Sequence, residues 1–360
     1  MRQKTVAVIF VLLSLAAGGR AQAPAGEQAA RQAIANGLAL LAAGDPATSI
    51  QVLRPVAAAS PIPVLATHAQ CLTAAGMAMN RQTRLAEAAV STLNQPPGEA
   101  AQAAWKQVLP ECVKQLEGIA GRLPADQRAG LFYFLGLIGP EGPDHLKNLK
   151  EAVKARPDFL EACYQLAIHL LWNGELPEAA VYFRRVADGR PEWAEPRSNL
   201  GMALMLSGRP DQAIPEFRQA LKIRPGLVET QGQLGLALYA TGAYDEAINE
   251  CGTALRLQTG NPAHHNCVAL ALLEKNRPAD ALAYARRGAE LAPRQETTLL
   301  VLAAALAANG LPDEAQAAMR QVLQIQPQLR SDPSRLEKGN LLRGRALALT
   351  RDLLKKAGGK

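Results

Sequence analysis

Proline returns at a fixed interval through the second half of this chain, at Pro157, Pro191, Pro225, Pro293 and Pro327. The step is 34 residues, with one position skipped at Thr259. A chain that repeats on this step is confined to stacked copies of one helical hairpin. Such a stack builds an extended wall in which each hairpin touches its neighbours, in place of a closed catalytic cavity. Two apolar sets keep the same step. One is Leu166-Ala167, Leu200-Gly201, Leu234-Gly235, Val268-Ala269 and Leu302-Ala303. The other is Ala179, Ala213, Ala247, Ala281 and Ala315, followed by Phe183, Phe217, Cys251, Ala285 and Met319. Each period therefore holds two apolar-periodic segments of about three helical turns.

The link between the two segments recurs as well. It reads Asn173-Gly174-Glu175-Leu176-Pro177-Glu178, Ser207-Gly208-Arg209-Pro210-Asp211, Thr241-Gly242-Ala243-Tyr244-Asp245-Glu246 and Asn309-Gly310-Leu311-Pro312-Asp313-Glu314. The glycine ends the first helix in a left-handed conformation. Asn276, the one non-glycine in that slot, is the next most tolerant residue. Proline then suits the opening turn of the second helix, and Asp or Glu there complements the helix dipole.

In its Leu-Gly pair, central alanine, phenylalanine, later alanines (Ala220, Ala254) and closing proline, the segment 160–329 resembles an array of tetratricopeptide repeats. It departs from the family at the early Trp, which is Cys163, Arg197, Gln231, His265 and Leu299 here, and at the Tyr, which is Leu170, Leu204, Leu238 and Leu272. The resemblance implies an all-α fold, a right-handed superhelical solenoid of stacked helix-turn-helix repeats. It also implies that the first helix of each pair lines a concave groove. On that basis the groove residues are Tyr164, Ile168 and Trp172; Asn199, Met202 and Met205; Gln233, Leu236 and Tyr239; and Asn266, Leu270 and Leu273. This set is rich in aromatics, Met and amides, which are favoured at binding hot spots. The bland alternative is that several of these side chains pack between neighbouring inner helices. One family subtype grips a terminal carboxylate with paired Lys and Asn; only Asn199 fits that scheme, so that ligand is not expected.

The chain has 360 residues and a formal net charge of +7. The location of the charge removes a nucleic-acid reading. Residues 1–21 carry +3, the tail 330–360 carries +6, and the body 22–329 carries −2, so no basic stripe follows the array. Arg2 and Lys4 precede an apolar run from Val6 to Ala17, with small-x-small sites at Gly19-Arg20-Ala21 and Ala21-Gln22-Ala23. This is a secretory signal pattern, with cleavage expected after Ala21, since cutting after Ala23 would leave Pro24 at the new terminus. The run is too short for a membrane span of about 20 residues.

The expected organisation is a signal peptide at 1–21, an irregular helical region with degenerate repeats at 22–128, a degenerate repeat at 129–159, five repeats at 160–329, and a basic capping helix and tail at 330–360. In 30–63, Leu40, the turn Gly44-Asp45-Pro46, Ile50, Leu53 and a stop at Pro61 mark a degenerate copy. A weaker copy in 64–97 ends at Gln95-Pro96-Pro97-Gly98. The stretch 99–123 is helical by composition but broken by Pro110, and it has no assignable register. Leu135-Gly136 and Ala152 to Pro157 mark a copy with a compressed turn around Gly139-Pro140-Glu141-Gly142-Pro143. Asp332-Pro333-Ser334 caps a last helix to about Ala357, with Leu342, Ala346, Leu349 and Leu353 on one face. That helix reads as a solvating cap, or alternatively as a basic amphipathic helix for an anionic membrane or an acidic partner.

Five cysteines in an exported chain permit disulfides. Cys251 and Cys267 lie on a second helix and the next first helix, which touch in this architecture, and form the candidate pair. Cys71 with Cys112 is a vaguer second, and Cys163 packs as a small apolar residue. His264-His265-Asn266-Cys267 makes a poor metal site, because adjacent histidines point to different sides of a helix. No catalytic, cofactor-binding or metal residue is assigned, and no cofactor is expected. Glu161, Glu195 and Glu229 open inner helices and complement their dipoles. The function expected is a non-enzymatic scaffold of the bacterial envelope or secreted space that binds a protein or peptide segment in its groove. The alternatives are a small-ligand or glycan module using Tyr164, Trp172 and Tyr239, and an enzyme with a site in 64–128.

Overall fold

The computed structural model describes residues 25–60, 62–94, 99–138, 143–336 and 342–358. The signal pattern at 1–21 with its cleavage sites, Pro61, the Gln95-to-Gly98 stop and Gly139 to Gly142 lie outside the described residues. Every regular element among the described residues is helical. Contacts divide the chain into two units, one to His169 and one from Leu170.

In the first unit, α1 (Ala25–Ala42) and α2 (Pro46–Ala59) form a hairpin, as do α3 (Pro63–Met79) and α4 (Thr83–Asn94), and α6 (Ala125–Ile138) and α7 (Pro143–Ala155). The segment 30–63 folds as the hairpin α1–α2. Gly44 turns with φ +77°, and Asp45 caps α2 by accepting from the Thr48 N–H at 3.1 Å. Gly37 is so close to Leu53 that a Cβ there would lie 2.5 Å from Leu53 Cγ. Gly136 approaches Leu149 in the same way, at 2.9 Å.

The stretch without a register is α5 (Glu99–Ala120), one helix that runs unbroken through Pro110. Pro110 was expected to break it. The proline sits on the exposed side, where water can satisfy the carbonyl that loses its hydrogen bond. No second helix pairs with α5. It lies across the first helices of the unit, packed on α3 and also touching α1 and α6. A disulfide between Cys71 on α3 and Cys112 on α5 fixes it there. The helix α3 is the centre of the unit, with Cys71, Leu72, Ala74 and Ala75 fully buried. His68, in the same region, is paired with Gln115 at 3.1 Å.

The helix α8 (Leu160–Trp172) spans the division between units. The second unit continues with the hairpins α10 (Ala194–Leu206) and α11 (Pro210–Ile223), α12 (Val228–Thr241) and α13 (Tyr244–Leu257), α14 (Pro262–Glu274) and α15 (Pro278–Leu291), and α16 (Glu296–Ala308) and α17 (Pro312–Ile325), preceded by α9 (Leu176–Gly189). The turn glycines Gly174, Gly208, Gly242 and Gly310 have positive φ, and Asn276 adopts φ +56° in the slot that lacks one. Successive first helices pack on one another, α12 on α14 and α14 on α16. Successive second helices are bridged by long charged side chains, Arg218 with Glu246 at 2.6 Å and Arg286 with Glu314 at 3.0 Å. The first helices therefore form the closer-packed row.

The tail departs from expectation. Asp332 caps no long helix: Pro333–Leu336 is a single short turn, with Ser334 Oγ donating to Asp332 at 2.5 Å. The final helix, α18, is Gly344–Gly358.

Two consequences of this packing can be measured. A methyl at Gly130 on α6 would lie 2.3 Å from the Ala78 carbonyl oxygen, against backbone that cannot rotate away. Gly118 on α5 has nothing within 4 Å. In denaturant melts, Gly130→Ala should cost about 1–3 kcal/mol by overpacking. Gly118→Ala should gain about 0.5–1 kcal/mol from lost backbone freedom in the unfolded chain.

The second concerns pH. His145 Nε2 lies 2.5 Å from His169 Nε2, within reach for one ring to donate to the other. Burial, with the His169 ring adding to it, lowers the His145 pKa to about 4 from 6.5. Between those values the unfolded chain binds a proton that the folded chain refuses, so stability is full above 6.5 and falls as pH drops toward 4. Melting temperatures taken across that window should fall less steeply in His145→Gln than in the wild type.

Candidate functional site

The row of first helices in the second unit is the candidate interaction face. Its packing is set by pairs 32 residues apart on neighbouring first helices. Ser198 Oγ and Thr230 Oγ1 are 2.7 Å apart, and Asn266 Nδ2 donates to Thr298 Oγ1 at 3.1 Å. Between them the pair is Gly232 and His264, where a Cβ on Gly232 would meet the imidazole at 2.7 Å. The two adjacent histidines diverge as the helical spacing requires. His264 lies against Gly232 and Asn261, while His265 Nε2 faces the Thr259 carbonyl at 3.2 Å. Burial pushes His264 below its ordinary value, which keeps it a neutral packing group. Among the described residues, no group of three or more His, Cys, Asp or Glu could hold a metal ion.

The twelve groove residues fall into distinct environments. Tyr164 and Ile168, in the first unit, are half-buried. Trp172 is 77% exposed at the end of α8. Asn199, Met202 and Met205 on α10, with Gln233 and Leu236 on α12, are half-buried. Tyr239, Asn266, Leu270 and Leu273 are buried. Asn266 stands one residue off the register of Asn199 and Gln233. It points between helices, where a Cβ on Gly288 would touch its Oδ1 at 2.8 Å. The residue in register is Cys267, whose sulfur is bonded to Cys251 on α13.

Tyr239, Leu270 and Leu273 are buried, and the C-terminal helix α18 lies on this part of the row. It packs against α14, α16 and α17. Leu342, Ala346, Leu353 and Leu354 are buried in that contact, and Thr350 is fully enclosed. Burial raises the Tyr239 phenol above its usual range, and the nearby Glu274 carboxylate adds to the effect. At 1% exposure its ring offers no platform for stacking a sugar.

The ends of the first helices line up at 34-residue intervals as Trp172, Leu206, Ala240 and Glu274. The first two are bare apolar surface, 77% and 61% exposed. The last two are engaged by the tail. Arg343 Nη1 donates to the Ala240 carbonyl at 2.8 Å, and the Glu274 carboxylate accepts from the backbone N–H groups of Arg345 at 3.1 Å and Ala346 at 3.2 Å. Sequence reasoning named Trp172 but missed Glu274. The available signal was a lone carboxylate in a row otherwise apolar. Of the glutamates at the openings of first helices, Glu195 pairs with Arg224 at 2.7 Å.

Two family models, both described as tetratricopeptide repeat, match residues 164–228 and 204–271. No curated protein matches the chain. Several solved structures are similar. PilW, a widely conserved type IV pilus biogenesis factor, is 20% identical over 55% of this chain and 94% of its own, with a TM-score of 0.49. MamA from Desulfovibrio magneticus RS-1, from residue 41 onward, is 17% identical over 47% of this chain and 95% of its own, at 0.43. YrrB, a TPR protein with an unusual peptide-binding site, is 16% identical over 50% and 92%, at 0.41.

The sulfur assignment has a direct readout. With Cys71 bonded to Cys112, Cys251 bonded to Cys267, and Cys163 a buried thiol outside both disulfides, alkylation of unreduced native protein should add nothing. Alkylation after unfolding should add one label, read by mass spectrometry; three or five labels would contradict the pairing.

Proposed function

With residues 164–271 identified as tetratricopeptide repeats, we propose that this chain is a protein-interaction scaffold of the bacterial envelope or the space outside the cell. It binds a partner segment along the row of first helices. The observation that carries the reading is the apolar pair Trp172 and Leu206, which occupy equivalent positions one hairpin apart and are both bare. Met202 and Met205 are on α10 with Leu206 and are half-buried. Aromatic and Met side chains on a fixed helical frame make good anchors, since they bury large area at low entropic cost. A partner with apolar side chains along one face of an extended or helical segment fits this pair.

The setting outside the cytoplasm is supported by the charged-then-apolar start of the chain. The two disulfides, one in each unit, support it independently. No described helix is long and apolar enough to cross a membrane. The titratable groups most suggestive of chemistry are occupied structurally: His264 and His265 in packing and His68 with Gln115. The mechanism is accordingly additive contact across hairpins, with no bond made or broken.

The test uses a photo-reactive residue placed in the cell at Leu206 or at Val181. The two sites are almost equally exposed, at 61% and 58%, but Val181 is on a second helix, α9. A discrete crosslinked species identified by mass spectrometry should form from Leu206 and be absent from Val181. Trp172→Ala in the same background should reduce it. Equal labelling from both positions would overturn the reading.

A further inference from the structure

A solvating end helix needs to cover only the last hairpin of a stack. The helix α18 reaches further. Besides α16 and α17 it packs on α14, one hairpin back. The residue before it, Arg343, bonds the end of α12, two hairpins back. It lies across first helices, as α5 does in the other unit, but without a disulfide to hold it.

What holds its start is chemically specific. Every helix leaves its opening N–H groups without intrahelical partners, and a side chain of the helix's own cap usually satisfies one of them. The helix α18 opens with Arg343 and Gly344, neither of which can do this. The acceptor comes from elsewhere: Glu274, at the end of α14, takes the Arg345 and Ala346 N–H groups on its two oxygens. The arrangement also sets a negative charge on a helix N-terminus, where the dipole favours it. The Arg345 guanidinium bonds Asn276 just beyond. Gly344 is required by this approach, since a Cβ on it would lie 2.4 Å from Glu274 Oε2, and its φ is +44°. A helix of 15 residues with no cap of its own is marginal in water. Docking and helix formation are therefore one event for this segment.

We propose that the first-helix face around α14 is a receptor for the start of an amphipathic helix, with Glu274 binding its free N–H groups, and that α18 is its resident, displaceable occupant. This rests on the scaffold reading and adds the chemistry of the ligand. The ligand is a helix that begins with an uncapped small residue between two arginines and carries an apolar stripe on its inner side. A partner segment of that kind takes the place of α18, which leaves as coil.

The experiment uses the full chain, wild type and Gly344→Val, with a fluorescent synthetic peptide of residues 342–358 as probe. The variant removes the docking of α18 without altering any residue of the face. It should show fast hydrogen exchange at 344–357 with protection elsewhere unchanged, and it should bind the peptide at least about tenfold more tightly than the wild type, whose face is mostly occupied. Adding Glu274→Gln to Gly344→Val should abolish that binding. Should Gly344→Val fail to fold, Leu353→Asp, which puts a charge on a buried position of α18 and leaves Glu274 untouched, replaces it in the same comparison. Peptide binding equal in wild type and variant, or absent from both, overturns the proposal, as does unchanged exchange at 344–357. Crosslinking from Leu206 with a negative peptide result would leave the scaffold reading standing and remove only this one.

Discussion

The interaction on which the rest depends is the close contact between the two helices of a hairpin. In three hairpins the first helix carries glycine and the second, 16 residues later, a larger group that fills the missing side chain: Gly37 with Leu53, Gly201 with Phe217, Gly235 with Cys251. Interiors at crystal-like density leave no slack for an added methyl there. The fixed depth of this contact sets how each second helix stands behind its partner. It leaves the first helices free to meet one another in a row while charged side chains span the second helices. The row of first helices is thus a product of small residues at its back.

Sequence made this contact visible where it recurs on the 34-residue step. Prolines, turn glycines and the Leu-small pairs placed the hairpins from Leu160 onward, and the copy in 30–63 kept enough of the turn to be seen. What stayed hidden has specific causes. The helix α5 belongs to no hairpin, so a search for period could give it no register, and Pro110 looked like a break because exposure is a tertiary property. Asn266 was placed on the open face by a one-residue slip; its neighbour Cys267 holds that position and is consumed by the disulfide. The engagement of Glu274 with residues about seventy positions later leaves no local trace, since a carboxylate at a helix end reads as ordinary solvation.

The two units each carry one helix laid across first helices, and they secure it by different means. In the first, a sulfur–sulfur bond from α3 to α5 makes the cover permanent under oxidising conditions. In the second, the cover is held by a carboxylate on two N–H groups, two arginine contacts and a short apolar stripe. Covalent closure suits a structural element, whereas contacts that water and ions can replace suit one that exchanges. Trp172 and Leu206 lie in the same row as Ala240 and Glu274, so the bare surface and the covered surface belong to one face.

The pairs between neighbouring first helices do not repeat on every hairpin. Ser198 with Thr230 recurs as Asn266 with Thr298, and Arg218 with Glu246 recurs as Arg286 with Glu314, each shifted by two hairpins. Between the polar pairs stands Gly232 with His264. Excising the single hairpin α12–α13 would bring Ser198, with its Cβ, against the His264 imidazole, which now lies over a glycine. Excising two would restore a hydroxyl–hydroxyl match between Ser198 and Thr298. Side-chain pairing in this part of the array therefore follows a 68-residue step, although its backbone repeats on 34.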